Sequence, residues 1–282
     1  MKKKDQTGNS ILSDKHVKVI LTGGFLGAGK TTFLWKASQY LMERGKKVGL
    51  ITNDQAPELV DSTLLINNGL KVEEVSGSCF CCNFSGFINA VQHYTADREI
   101  DYIYAEPVGS CTDLSATILQ PLKQYWSDRI ATAPLSVLAD PDRLVSILDG
   151  GNVGLHEDAV YIFHKQLEES DIIVINKIDL LTADQSADLA EKTKRAYPDS
   201  KVMTVSALTD EGIDAWLDEI INRYDSGNNL VEVDYDVYAH GEAVLGWLNG
   251  TVLLAGEGID WDSFMTSFMH DLCDRFDKVV RC

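Results

Sequence analysis

The stretch "GGFLGAGKTT" places Gly24, four intervening residues and then Gly29-Lys30-Thr31 directly after the apolar run "VKVILTG" and directly before a helix-forming segment. Strand, glycine loop and helix with Lys-Thr at this offset is the phosphate-cradling P-loop arrangement, and it narrows the fold more than any other feature of the chain. Glycines at 24, 27 and 29 let backbone N–H groups, with those of Ala28 and Thr32, face the phosphates, and the helix N-terminus adds its dipole. Lys30 reaches the β and γ phosphates, and Thr31 offers a hydroxyl to Mg²⁺. A merely flexible glycine turn would leave Lys-Thr at the fixed offset unexplained.

The rest of the chain repeats that rhythm. "KVGLITN", "KVEEV", "DYIYAE", "LSVLAD", "DIIVINK" and "KVMTVSA" read as strands between amphipathic helices, for example Lys30 to Arg44 and Asp184 to Tyr197. The fold class is therefore α/β with a mainly parallel sheet, a P-loop core over residues 1–225 behind a short disordered N-terminus. A polar stretch at 223–229 reads as a linker to a small α+β domain over 226–282. There "LVEVDYDVY" alternates with period two, Asn249-Gly250 suggests a type I′ hairpin, and Asp260 caps a helix with apolar spacing.

A formal net charge of −18 argues against nucleic acid or an anionic membrane as partner, so any bound anion must be held locally. No apolar segment approaches a signal or membrane span, which reads as a cytoplasmic protein.

Three further strand ends carry chemistry. In "DIIVINKID", Asn176, Lys177 and Asp179 stand where an open α/β sheet puts its ligand, and the Asp179 carboxylate can accept from both N1–H and the 2-amino group of guanine. In "VSALTDEG", Ser206 and Ala207 end the next strand, and the Ala207 N–H is expected at guanine O6. "DYIYAEPVG" ends in Glu106, which would orient Mg²⁺, and Gly109, which would sense the γ-phosphate. The expected catalytic group is thus Lys30, Glu106 and Gly109.

"SGSCFCCNF" packs Cys79, Cys81 and Cys82 into four positions. Vicinal cysteines strain against pairing with each other, whereas three thiolates on a tight loop can share one Zn²⁺, Co²⁺ or related ion. A reversible disulfide from Cys79 to Cys81 or Cys82 is the redox alternative.

Taken in order, "GGFLGAGKTT", "NDQAPELVD", "CFCC", "EPVG" and "NKID" resemble the CobW-like members of the CobW/HypB/UreG GTPases over nearly the whole chain. The resemblance implies a GTPase core, a C-x-C-C metal site between two switch segments, and GTP-dependent delivery of a transition metal to a client metalloprotein or cofactor-assembly enzyme. It makes Asn53 to Asp61 the first switch, with Asp61 joining Thr31 and Glu106 as Mg²⁺ ligands, and it implies a nucleotide-dependent homodimer. Three departures stand out. The family's acidic residue before the switch asparagine is Thr52 here, leaving Asp54 or Glu58 to supply an acidic metal ligand. Cys111 follows "EPVGS", as a fourth thiolate or a small buried side chain. The tail resembles only the first part of the family's C-terminal domain, which is read as short or incomplete.

No glutamine follows Gly109 and no arginine finger is identifiable, so slow GTP hydrolysis completed by a partner is expected. The rival reading is a GTP-dependent regulatory adaptor or activator with a structural zinc or redox-active loop. Cys273 reads as core, Cys282 as a terminal thiol and His240, in "YAHGEA", as an ordinary polar loop histidine.

Overall fold

β1 (Val17–Gly24) is buried along its whole length, and its side chains alternate between two cores: Val19 and Leu21 on one face of the sheet, Ile20 on the other. A strand with apolar groups on both faces must be covered on both. In the computed structural model, which describes residues 17–54, 70–76, 79–96, 100–245, 254–256 and 258–276, helices do so. α1 (Lys30–Glu43) and α7 (Ile213–Asn222) bring Phe33, Leu34 and Trp216 to one side, where the Phe33 and Trp216 rings lie 4.5 Å apart. α2 (Phe84–Ala96) and α5 (Glu157–Glu168) bring Phe87 and Phe163 to the other.

The sheet is parallel, in the order β3 (Lys71–Ser76), β2 (Val48–Asp54), β4 (Tyr102–Glu106), β1, β6 (Ser136–Ala139), β7 (Ile172–Ile175), β8 (Lys201–Thr204). β5 (Ile130–Thr132), which the sequence pattern did not suggest, pairs with the start of β1, while β6 pairs with its end. One edge of β1 is thus covered in two steps. This order brings the C-terminal ends of β1, β4, β6 and β7 side by side, the edge at which parallel α/β sheets hold ligands. α3 (Gln120–Tyr125) follows a turn of π-helix over Ser115–Leu119, and α4 (Pro141–Leu148) begins at an Asp140 cap. α6 (Ala183–Ala196) starts at a Thr182–Gln185 capping box, one residue ahead of the predicted start.

The stretch 223–229 is not a free linker. The Asp171 carboxylate accepts from Gly227 N (2.6 Å) and Asn228 N (3.2 Å), Lys123 donates to Ser226 O at 2.5 Å, and Ser226 is fully buried against Thr132. Nor is "LVEVDYDVY" a strand. Asp234 accepts from Asp236 N (3.0 Å) and Val237 N (3.2 Å) and caps α8 (Tyr235–Leu245). The local cap and burial of one face against α5 outweigh a period-two pattern. The two helices meet at Gly241, where a Cβ would sit 2.7 Å from Asp158 O and 2.8 Å from Ile162 Cδ1.

The chain divides into two compact units, Met1–Gly246 and Trp247–Cys282, so the first reaches beyond the predicted boundary at 225/226. In the second, Asp260 caps α9 (Trp261–Phe276) as the sequence suggests, accepting from Ser263 N at 3.2 Å and Ser263 Oγ at 2.7 Å. The expected hairpin at Asn249-Gly250, Glu58, Asp61, Cys282 and the side chains of Asp54 and Cys273 lie outside the described residues. Among the described residues no helix is long and apolar enough to cross a membrane.

Candidate functional site

The glycine loop between β1 and α1 shows why its glycines are required. Gly24 (φ 136°) and Gly29 (φ 86°) both adopt positive φ, and a Cβ would stand 2.5 Å from Leu138 O at the first and 2.6 Å from Asn176 Nδ2 at the second. Gly27 (φ 76°) has open space around its Cβ position, leaving room for a ligand beside the backbone. Ala28 is buried, while Thr32 is exposed on the first turn of α1. Lys30 is buried and donates to Gly24 O at 3.0 Å. Thr31 Oγ1 donates to Glu106 Oε1 at 3.0 Å, bringing a hydroxyl and a carboxylate together across the β1 and β4 ends. Two hard oxygen donors at the foot of a phosphate loop suit Mg²⁺. Gly109 lies against the same loop, where a Cβ would come within 3.1 Å of Leu26 N.

At the base-reading end, Asn176 is buried and ties two segments together. Its Nδ2 donates to Ala28 O at 2.9 Å and its Oδ1 accepts from Ala207 N at 3.0 Å. The Ala207 N–H expected at guanine O6 is therefore engaged by Asn176, because a buried amide oxygen left without a donor is costly. Ser206 Oγ donates to Asp179 and accepts from Thr209 N at 3.1 Å, which aims the exposed Asp179 carboxylate. Lys177, at φ 61°, donates to Gly27 O (2.7 Å) and Asp140 Oδ2 (2.9 Å).

Asp140 and Arg143 were missed in the sequence. Asp140 accepts from Arg143 N at 3.1 Å, and the Arg143 guanidinium donates to Leu26 O while lying 5.1 Å above the centre of the Phe25 ring. The "ADPDR" run held a signal, since Asp before Pro is a helix-start pair.

The cysteine loop is built to hold its thiols. Phe80 is fully buried against Phe87, with ring centres 4.8 Å apart, which anchors the loop between its cysteines. Cys79 O accepts from Cys82 N (3.0 Å) and Asn83 N (2.9 Å), curling the chain into α2. Cys79 Sγ lies 2.7 Å from Cys81 Sγ, Cys81 Sγ 3.9 Å from Cys82 Sγ, and all three sulfurs lie within 4.8 Å of one another. Zinc–sulfur bonds of about 2.3 Å put tetrahedral sulfurs about 3.8 Å apart, so the Cys81–Cys82 spacing already suits one such ion and the Cys79–Cys81 pair would open by about 1 Å to take it.

The nearby buried Cys111 thiol, and after it Cys81, hold the Cys79 thiol well below its usual range. Cys111 and Cys82 are pushed up, first by their hydrogen bonds to the same Cys79 thiolate. Cys81 is also held above the usual thiol range; the Cys111 contact opposes that shift, and the bond to Cys79 and burial outweigh it.

α8 covers the segment after Gly109, an arrangement invisible to a strand reading. Glu242 Oε1 accepts from Ser110 Oγ (2.7 Å) and Tyr238 OH (3.0 Å), and Tyr235 OH donates to Asp113 Oδ2 at 2.5 Å. Burial holds the Tyr238 phenol far above its usual range, and the negative field of Cys111 and Glu242 adds to it.

Glu169 fastens the same segment from within. Fully buried, it accepts from Ser115 N at 2.9 Å and Thr112 Oγ1 at 3.3 Å, and burial pushes its carboxyl up to about 8 despite those bonds. The fold therefore favours the protonated acid, and stability should fall as pH rises from the ordinary carboxylate range through about 8, then level off. Glu169→Gln should remove that loss, on the order of 4 kcal/mol across the window. Urea unfolding at about pH 5 and about pH 8.5 reads it; parallel losses in wild type and variant would refute it.

The model of the CobW/HypB/UreG nucleotide-binding domain matches residues 18–204. The chain belongs to the CobW/HypB/UreG family. This is a family of P-loop GTPases, and the parallel sheet agrees with it. Zinc-regulated GTPase metalloprotein activator 1 of Saccharomyces cerevisiae is 26% identical over 237 residues, covering 75% of this chain and 52% of the relative. Zinc chaperone CobW of Sinorhizobium is 27% identical over 180 residues, covering 57% and 50%. The chain spans about half the length of these curated relatives. Among solved structures, HypB from Helicobacter pylori in complex with nickel has the same fold, with a TM-score of 0.53 at 15% identity over 78% of this chain and 92% of that one.

Proposed function

We propose that this CobW/HypB/UreG chain binds and hydrolyses GTP and uses the nucleotide state to hold or release a transition metal, Zn²⁺ or Co²⁺, for a client metalloprotein or cofactor-assembly enzyme. One observation carries the coupling. The buried Gln166 amide donates to both Gly109 O (3.0 Å) and Cys111 O (2.8 Å), so the glycine against the phosphate loop and the buried thiol move as one clamped segment.

In this reading Gly24, Gly27, Ala28, Gly29 and Thr32 present the loop backbone to the phosphates, and Lys30 balances charge on the β and γ groups. Thr31 and Glu106 hold Mg²⁺ with Asp61 from the first switch, and the ion neutralises charge on the phosphates. Asp179, steadied by Ser206, reads guanine, while Asn176 and Lys177 fix the base-reading loop to the phosphate loop. A γ-phosphate drawing Gly109 toward the loop moves Cys111 relative to Cys79, Cys81 and Cys82, the cargo ligands, and Asp54 is the candidate for an acidic ligand. Intrinsic turnover is slow, and a nucleotide-dependent homodimer or the client completes the hydrolytic site.

The relatives' names, which pair zinc with GTPase or chaperone, support this reading. The test is Zn²⁺ affinity of the full chain with a non-hydrolysable GTP analogue against GDP, each with Mg²⁺. A difference of about tenfold is expected, with the same factor in nucleotide affinity with and without Zn²⁺, since coupling is reciprocal. Equal affinities and a Zn²⁺ ion that does not exchange would instead indicate the adaptor with a structural zinc.

A further inference from the structure

We propose that His156, Asp158 and His240 form a second cation site, built from nitrogen and oxygen donors and suited to a divalent ion such as Zn²⁺. One donor atom from each lies within 4.8 Å of the other two. The three come from two helices: His156 and Asp158 from the start of α5, His240 from α8, distant by 82 positions from Asp158. The His240 identified from sequence as a loop residue is thus helical and partnered. Two imidazoles and a carboxylate are a donor set that Zn²⁺ and similar borderline ions accept.

The geometry is imposed by packing. The absent side chain of Gly241 lets α8 settle on Asp158 O and Ile162, and this close crossing delivers His240 to the Asp158 carboxylate. On the other side, His156 caps α5: its Nδ1 accepts from Asp158 N at 3.2 Å and lies 3.4 Å from Asp158 Oδ2. Both imidazoles therefore converge on one carboxylate oxygen, with ring centres 5.1 Å apart at a 72° interplanar angle. Among the described residues, the charged groups within ion-pair distance of Asp158 are these two histidines. A carboxylate offers about four lone-pair sites and each imidazole a second ring nitrogen, so the group keeps ligand capacity that a cation would engage. The histidine side chains are 43% and 58% exposed, so water can complete the coordination and the ion can exchange. Binding releases to solvent any proton held on the ligating nitrogens, as metal ligation by histidine requires.

An ion there would pin α8 to α5. α8 also carries Tyr238 and Glu242, which engage Ser110 beside Gly109, so occupancy would stiffen the roof over the proposed switch. The site itself does not depend on the nucleotide reading.

Zn²⁺ titration of the full chain carrying Cys79→Ser, Cys81→Ser and Cys82→Ser tests it by calorimetry, with Co²⁺ absorption as a second readout. About one exchangeable Zn²⁺ should remain, raising the melting temperature. Bound Co²⁺ should show only weak ligand-field bands without thiolate charge transfer. Adding His156→Ala and His240→Ala should weaken this binding at least about tenfold and abolish the Zn²⁺-dependent rise, while the metal-free melting and circular dichroism confirm folding. His156→Ala alone, at an exposed ring, gives the same reading if the double change unfolds the chain. Absence of Zn²⁺ binding in the cysteine-free loop, or binding that survives the histidine changes, would overturn the proposal.

Discussion

Lys30→Ala is expected to cut GTP affinity by about 100-fold or more, since hydrogen bonds to charged groups contribute roughly 1.5–3 kcal/mol each and this ammonium would serve two phosphates. The side chain is already buried and committed to Gly24 O, so its desolvation cost is met before the nucleotide arrives. In a chain of net charge −18 a cation placed there would offset repulsion of a triphosphate at close range. A fluorescent GTP analogue titrated with Mg²⁺ measures the loss, and Lys30→Arg should not restore it, because a planar fork cannot occupy the place of a compact ammonium. Affinity within about threefold of wild type would remove the phosphate loop from the proposed site.

The second large effect is on metal. Replacing Cys79, Cys81 and Cys82 together by serine should lower Zn²⁺ affinity at the loop by about 10³-fold or more, given that thiolate sites bind through bonds a neutral hydroxyl does not offer. Competition with a chromophoric chelator reads the change, and metal-free GTP affinity should stay at the wild-type level, since none of these sulfurs contacts the phosphate loop in the described structure. Cys111→Ser separates the two roles open to that residue. A loss of Zn²⁺ affinity with unchanged thermal stability makes it a ligand; a loss of stability with unchanged affinity makes it core. Loss of GTP affinity in the triple variant would mean that the loop supports the fold rather than the cargo.

The segments that sequence reasoning placed correctly are those whose meaning is local. The phosphate loop needs only a strand before it and a helix after it, and "EPVG", "NKID" and "SAL" each end a strand whose apolar run is legible on its own. Parallel order then gathers them without further information. The Asp260 cap was legible for the same reason. What escaped was decided by contacts between distant residues. Nothing near Gln166 or Glu169 announces that they will hold the segment after Gly109, and Tyr238 and Glu242 reach it only because residues 235–245 form a helix. The alternation that suggested a strand there carried no signal for the Asp234 cap or for the close approach at Gly241. The bond from Ala207 N–H to Asn176, which comes from another strand end, likewise had no local signal.

The four sulfurs differ in access: Cys111 is sealed in the core, Cys79 and Cys81 are half-buried, and Cys82 is exposed. That gradient gives the cluster a direction. If the loop carries the proposed cargo, an incoming donor would meet the ion first at the most exposed thiol among the described residues, Cys82, and handover would proceed as a stepwise peeling in which Cys82 lets go first and the inner thiols last. Substituting Cys82 would then alter the speed of transfer more than the depth of the hold, and the receiving surface must bring its own sulfur or nitrogen to that one corner.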